Sequence, residues 1–572
     1  MPKKKLQPEQ SDTLTRVVND FNSAWSYTSS THHSLWLDCW KLYNNQRTDR
    51  SYEGITNTFV PMTFSTIETM VAALAGSRPR FDFQPTNPEQ ETDTKVLNFL
   101  LDHYWDKDKW QSKVDKWIRS MLMYGTGVMF AFWDIDKPCL YNVPLRDFFV
   151  DPTASSPEDA RYMGRRYLTT LEALKDYEYF DSEKQEMVKV YKNLDKIRDG
   201  SGNTGEETDK EKKDVFMGST LGKEANKRQI ECIEYWTEDQ VIVVANRTII
   251  IREDENPHLI AARSRGDENP KGLLPFIIQR DYVDESLFYG KGEIEPIIPA
   301  QELLNDMTNQ NIDAVTYSLN PMWTLDPKYS DQKEKVESLP GAVYPFEAGA
   351  LNPIPMQAIP QSAFNERLNI KSEIRETTAS DQVVKGVGED NSNTTATEIR
   401  AQVAQAGARF AVKVSQIENE GYYDLAKIVL DLVQLYVTEP MMVQIVGEKS
   451  GIDWAMYDPG IYAGDYDCKV KLESQVEADK QQEADQAKEL FLAFNGDPLI
   501  NQGELRRLTL QKSFELDEDE LDTLLTPEPM TDPMMGGIDP MSGAPIDPMA
   551  APVDPMLDPA MAGVPTDVGA LY

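Results

Sequence analysis

"PAQELLNDMTNQNIDAVTYSLNP", residues 299–321, opens on a proline and closes on Asn320–Pro321. Proline costs little in the first helical turn, where its missing N–H has no partner anyway, and it blocks the chain from continuing as helix. Between those stops Leu303, Met307, Ala314, Val315 and Leu319 recur at helical spacing, which predicts a helix over 299–320. Another face is rich in amides: Gln301, Asn305, Asn309, Gln310 and Asn311.

Downstream, the helical theme repeats on the far side of a small module. Residues 321–361 are punctuated by proline and glycine and hold short β-like runs, so they predict a compact α+β module. "SAFNERLNIKSEIRETTAS", residues 362–380, returns as a second helix. The next stretch, "VVKGVGEDNSNTTATEIRAQ" at 383–402, begins as a loop loosened by Gly386, Gly388, Asn391 and Asn393. It ends in a capping box, Thr395 with Glu398, which starts a helix over 395–437. Ile399, Val403, Phe410, Val414, Ile417, Leu425, Ile428, Leu432 and Leu435 keep an α-helical period along it. A helix of that length exceeds the usual globular size, so it either crosses a large domain or packs between subunits.

Upstream, residues 11–48 and 92–124 are helical in pattern, and an extended piece reaches Pro61 before a helix that ends at Gly76. "VMFAFWD" reads as a buried strand behind the break "YGTG", and the β signal resumes from Ile230 with Asn246 at a hairpin tip. Residues 195–229 are charged and Gly/Ser/Asn-rich, an insertion predicted to be disordered. After residue 440, "MMVQIVG" and "DYDCKVKLES" read as strands within 438–475, and 476–525 as helices. DPM recurs from Asp532 onward, so 526–572 forms a proline-broken tail predicted to be disordered.

The chemistry a sequence can advertise is missing. Cys39, Cys139, Cys232 and Cys468 are scattered without a CxxC pair, and four histidines are too dispersed for a metal site or triad. "FYGKGE" lacks the spacing and the Ser/Thr of a phosphate loop, and "GTGVMF" precedes a strand instead of joining strand to helix. No catalytic residue, cofactor or metal is expected. The start "MPKKKLQPEQ" has no apolar run behind it, so no secretory signal is expected, and the longest apolar runs fall short of a membrane span, so no membrane association is expected. The formal net charge is −37 over 572 residues. That balance argues against tight wrapping of nucleic acid, since phosphate binding works by cations displacing counterions.

Taken in order, "YEGITNTFVPMTFSTIETMVAALAGSRPRFDFQP", "MYGTGVMFAFWD", "VPLRDFFVDPTA", "FYGKGEIEPIIPAQELLNDMTNQNIDAVTYSLNP" and "TATEIRAQ" resemble the portal proteins of tailed bacteriophages, over roughly residues 15–510. The resemblance implies an α+β ring subunit with a wing at 1–298, a first stem helix at 299–320 and a clip at 321–361. It further implies a second stem helix at 362–380, a tunnel loop at 381–394, a long wing helix at 395–437, wing strands at 438–475 and a helical crown at 476–525. On that pattern Gln301, Asn305, Asn309, Glu366, Lys371 and Glu373 would line the stem channel. Gln382, Lys385, Gly386, Gly388, Asp390, Asn391 and Asn393 would form the loop facing DNA. The implied assembly is a homo-oligomeric ring, a dodecamer in the family's pattern, at one capsid vertex of the virion, built in the host bacterial cytoplasm. Implied partners are double-stranded DNA held weakly and without sequence preference, the terminase motor, the major capsid protein, scaffolding protein and tail adaptor proteins. Two rival readings are a head-tail adaptor or minor capsid protein without a channel, and a nucleic-acid-processing enzyme.

Overall fold

A computed structural model describes residues 8–46, 56–76, 78–86, 94–134, 136–181, 186–197, 229–267, 269–320, 322–335, 346–354, 361–378, 411–446, 452–494 and 501–514, with isolated positions 343, 409 and 521. The expected tunnel loop, the DPM tail and nearly all of the 195–229 insertion lie outside these residues. The chain divides into two compact units, Met1–Val476 and Glu477–Tyr572.

The first unit opens with α1 (Pro8–Thr31), α2 (His33–Tyr43) and α3 (Met62–Ala75). Strand β1 (Pro79–Pro85) alternates buried and exposed residues, burying Phe81 and Phe83. The helical pattern at 92–124 is two helices, α4 (Lys95–Lys107) and α5 (Trp110–Tyr124), parted where Lys109 takes a positive φ of 51°. Periodicity alone could not find that break, because both helices keep their apolar faces toward one core.

Helix α5 stops at Gly125, whose φ of 85° suits glycine, and the chain turns directly into β2 (Thr126–Asp134). A Cβ at Gly125 would lie 2.1 Å from the Gly290 carbonyl oxygen. β2 is central in a three-stranded antiparallel sheet, flanked by β3 (Lys137–Asn142) and β11 (Phe276–Arg280). A second antiparallel sheet contains β4 (Phe148–Val150), β5 (Met163–Thr170), β8 (Gln229–Trp236), β9 (Gln240–Ala245) and β10 (Ile249–Glu255), in the order β10-β9-β8-β5-β4. Asn246 and Arg247 take positive φ at the β9–β10 turn, and Asn246 also accepts a hydrogen bond from the Glu231 amide at 3.1 Å. Three strands not evident in the sequence, β1, β3 and β5, carry few consecutive apolar residues. The first pairs instead with β16 (Tyr466–Leu472), nearly 400 residues downstream, Phe83 facing Cys468. Only the folded chain brings such partners together.

Shorter elements are α6 (Leu171–Asp176), the hairpin β6 (Glu178–Asp181) with β7 (Glu186–Lys189), and α7 (Pro257–Arg265). Then come α8 (Ile298–Leu319), the paired strands β12 (Trp323–Leu325) and β13 (Leu351–Pro353), and α9 (Gln361–Thr377). The long helix, α10, is described over 411–436. It is not uniformly α-helical: Ile417–Tyr422 form a π turn before the α segment Tyr423–Tyr436. The hairpin β14 (Met441–Val446) with β15 (Ile452–Tyr457) precedes β16.

The π turn has a physical cause at hand. Gly421 packs on Trp117, leaving no room for a side chain, since a Cβ would lie 2.2 Å from the indole. Its amide donates to Gln279 Oε1 at 3.2 Å, and the buried Glu418 accepts the Leu472 amide at 2.6 Å. One turn earlier, Lys413 reaches two buried carboxylates, Asp281 at the end of β11 and Glu293 in the chain leading to α8. Its Nζ lies 2.8 Å from Glu293 Oε1 and 4.0 Å from the centre of the Tyr282 ring, and Tyr282 donates to Glu293 at 3.0 Å. Burial drives the Asp281 carboxyl well above the usual range, with Lys413 opposing that rise and Glu293 adding to it. The clamp ties the long helix to the root of α8.

In the second unit, α11 (Glu473–Phe494), which begins just before the division, contacts α12 (Gln502–Phe514), with Ala487 and Leu505 buried. Thr509 donates to the Ala487 carbonyl at 3.5 Å.

Two substitutions probe these contacts by denaturant unfolding. Gly125→Ala is expected to lower stability by roughly 3 kcal/mol, because the positive φ and the Gly290 carbonyl oppose any Cβ. Lys413→Met strands two buried carboxylates and should cost roughly 3–5 kcal/mol. At the exposed Lys107–Asp136 pair, the equivalent Lys107→Met should cost less than about 1 kcal/mol. Equal losses at the two lysines would contradict the clamp.

Candidate functional site

Helix α8 holds a neighbouring extended segment by its backbone. Gln301, Asn305, Asn309 and Asp313 stand four residues apart on one face. Asn305 Oδ1 accepts the Val60 amide at 2.9 Å, Asn309 Oδ1 the Thr58 amide at 2.7 Å, and Asp313 Oδ1 the Thr56 amide at 2.8 Å. Gln301 Nε2 donates to the Val60 carbonyl at 2.8 Å, and Asn309 Nδ2 to that of Thr58 at 3.0 Å. Thr63, entering α3, donates to Gln301 Oε1 at 3.2 Å. The register works because four helical residues rise about 6 Å and two extended residues about 6.6 Å. Each rung of side chains therefore meets every second residue of the segment.

Gln301, Asn305 and Asn309, which the resemblance would place along a channel, are engaged with this extended segment. All three are buried, with exposures of 0%, 2% and 0%, and their amides pair with backbone that would otherwise lack partners. A stripe of amides on a helix matches a polar lumen and a captured strand equally well in sequence. The distinguishing signal was the regular four-residue step, continued by Asp313.

On another side, α8 packs against α9 through Leu304, Ile370 and Ile374, with Ile297 closing the cluster and Val60, Met62, Ala300 and Met307 against it. This cover ends partway along α8. Ile312, Val315 and Leu319 succeed one another at steps of three and four, and all are exposed, Leu319 to 75%. The stripe continues the face that Gln301, Asn305 and Thr308 bury closer to the start of the helix. Past the last turn, β12 and β13 pair through Trp323 with Pro353 and Leu325 with Leu351, and Met322, Trp323 and Ile354 are exposed.

Helix α9 keeps its charges at the surface. Its buried seam runs through Ile370, Ile374 and Thr378. Glu366 and Glu373 lie seven residues apart on one edge of that seam, while Lys371 stands on the opposite edge, given 100° per residue. The three therefore stand on two sides of the helix. Gln382, Lys385, Gly386, Gly388, Asp390, Asn391 and Asn393 lie outside the described residues. No helix among the described residues is long and apolar enough to cross a membrane.

The sequence model of the phage SU10 portal protein family matches residues 134–505. No curated protein matches the chain. Among solved structures, a chain from the neck of an empty gene transfer agent (GTA) particle computed with C6 symmetry is 11% identical, with 82% of this chain and 93% of that chain covered and a TM-score of 0.39. A chain from the virion of a native gene transfer agent particle is 12% identical, with 82% and 93% covered and a TM-score of 0.38. Likeness at this level does not by itself define a fold. The sequence match spans more than half of the chain and takes in α8, the β12–β13 module, α9 and α10, so the protein belongs to the phage SU10 portal protein family.

Proposed function

We propose that copies of this chain close into a ring at one vertex of a phage capsid, around a passage for double-stranded DNA. In this reading α8 and α9 are the stem, 321–361 is the clip, and 381–394 is a loop reaching into the passage with Gln382, Lys385, Asp390, Asn391 and Asn393. The protein is structural: a separate terminase motor drives packaging, and the ring joins capsid and scaffolding protein on one side and tail adaptors on the other.

The observation that carries this reading is the uncovered stripe Ile312–Val315–Leu319 on α8. Its spacing is that of a buried helix face, yet the chain supplies nothing to cover it among the described residues. Apolar faces of this kind mark association surfaces. A repeated copy with the right rotation buries them all at once and closes a ring.

Charge fits passage better than grip. Each chain carries a formal −37, and many copies around one axis surround the duplex with negative potential. Such a wall favours sliding, with Lys385 the one lysine of the loop to touch phosphate transiently.

Negative-stain microscopy of the purified protein should show rings with a central hole. A chain that stays monomeric at every concentration overturns the proposal, and a particle without a hole favours an adaptor. In a gel shift the ring should bind duplex DNA weakly, the shift vanishing between about 50 and 200 mM salt. Tight binding that survives the higher salt contradicts the passage model.

A further inference from the structure

Helix α9 carries opposite charges along its two edges. Arg367, Lys371 and Arg375 step by four residues and so form one row. Glu366, Glu373 and Glu376 fall on the other side of the Ile370–Ile374 seam, well over a quarter turn from the basic row. Among the described residues none of the three cations makes an ion pair, although all three are only half-exposed. Helix α8 adds negative charge alone: Ile298–Leu319 contains Glu302, Asp306 and Asp313 and neither lysine nor arginine.

The occupant is decided by how these rows repeat. In a two-fold contact centred on the basic edge, that edge meets itself, placing Arg367, Lys371 and Arg375 against their own copies. Like charges so placed repel. In a head-to-tail contact the basic edge of one copy meets the acidic edge of the next, and every copy uses both edges. Resting on the ring reading, we propose that a second copy of this chain docks its Glu366–Glu373–Glu376 edge on the Arg367–Lys371–Arg375 edge, so that α9 sets the direction of ring closure.

Exchanging the charges tests this directly. One variant, Arg367→Glu/Lys371→Glu/Arg375→Glu, leaves both edges acidic. The other, Glu366→Lys/Glu373→Lys/Glu376→Lys, leaves both basic. Each alone should need at least about tenfold more protein than the wild type to assemble at about 0.1 M salt, a loss that lessens as salt rises. Mixed in equal amounts they should assemble again, alternating around the ring, so that native mass spectrometry finds only even numbers of subunits with equal shares of each. A chain bearing all six substitutions has its edges exchanged and should assemble by itself, which keeps the test decisive if one triple variant fails to fold.

Wild-type rings with either triple variant assembling normally overturn this contact and leave the ring reading intact. The same holds if the variants fail separately and the mixture does not recover. Normal assembly with DNA retention lost only in the acidic variant would assign the basic row to the duplex instead of a neighbour. A wild-type chain that never forms a ring removes both proposals.

Discussion

Four side chains of one helix hold five residues of extended backbone, and the placement of that helix depends on the grip. Gln301, Asn305, Asn309 and Asp313 satisfy the amides of Thr56, Thr58 and Val60 and two of their carbonyls, as a neighbouring strand would. A helix normally offers no backbone groups sideways. Here the side chains supply them, at a spacing that stays in step over three rungs because helix and strand rise by nearly equal amounts. Gln301, Asn305 and Asn309 are buried, so their pairings satisfy side-chain amides whose desolvation would otherwise cost about 1–3 kcal/mol each. The captured segment then leads into α3, whose Ile67, Met70 and Leu74 enter the main core. Helix α8 is thereby anchored from Gln301 to Asp313, while Val315 and Leu319 beyond it are exposed.

The second fixed point is ionic. Lys413 joins the long helix to Asp281 and Glu293, the latter five residues before α8 begins. Two carboxylates share one ammonium in a buried place, so the arrangement survives only where the surrounding packing imposes it. That packing is tight: Gly125, Gly290 and Gly292 bring three backbones to distances no Cβ would allow. The π turn directly after Lys413 lets Glu418 and the Gly421 amide reach β16 and β11 together. Helices α8 and α10 therefore leave one common base.

A rigid base with an uncovered apolar stripe and two oppositely charged edges is a poor design for a solitary protein. For a cyclic assembly the same features are complementary, since apolar burial supplies the drive to associate and charge supplies direction. In the proposed ring, the large negative charge would weaken attachment to a polyanion at the centre.

Much of this was legible in the linear sequence. Proline stops and apolar periodicity located α8 and α9, and glycine marked the ends of α3 and α5. These are local properties, fixed by φ restrictions and side-chain period. The long-range pairings were not legible: β1 with β16, Lys413 with its carboxylates, and Thr56–Val60 with the amide ladder each join residues more than 100 positions apart. The role of Gln301, Asn305 and Asn309 shows why. An amide's hydrogen-bonding capacity is written in its identity, but whether water or another backbone fulfils it depends on what the fold places within about 3 Å.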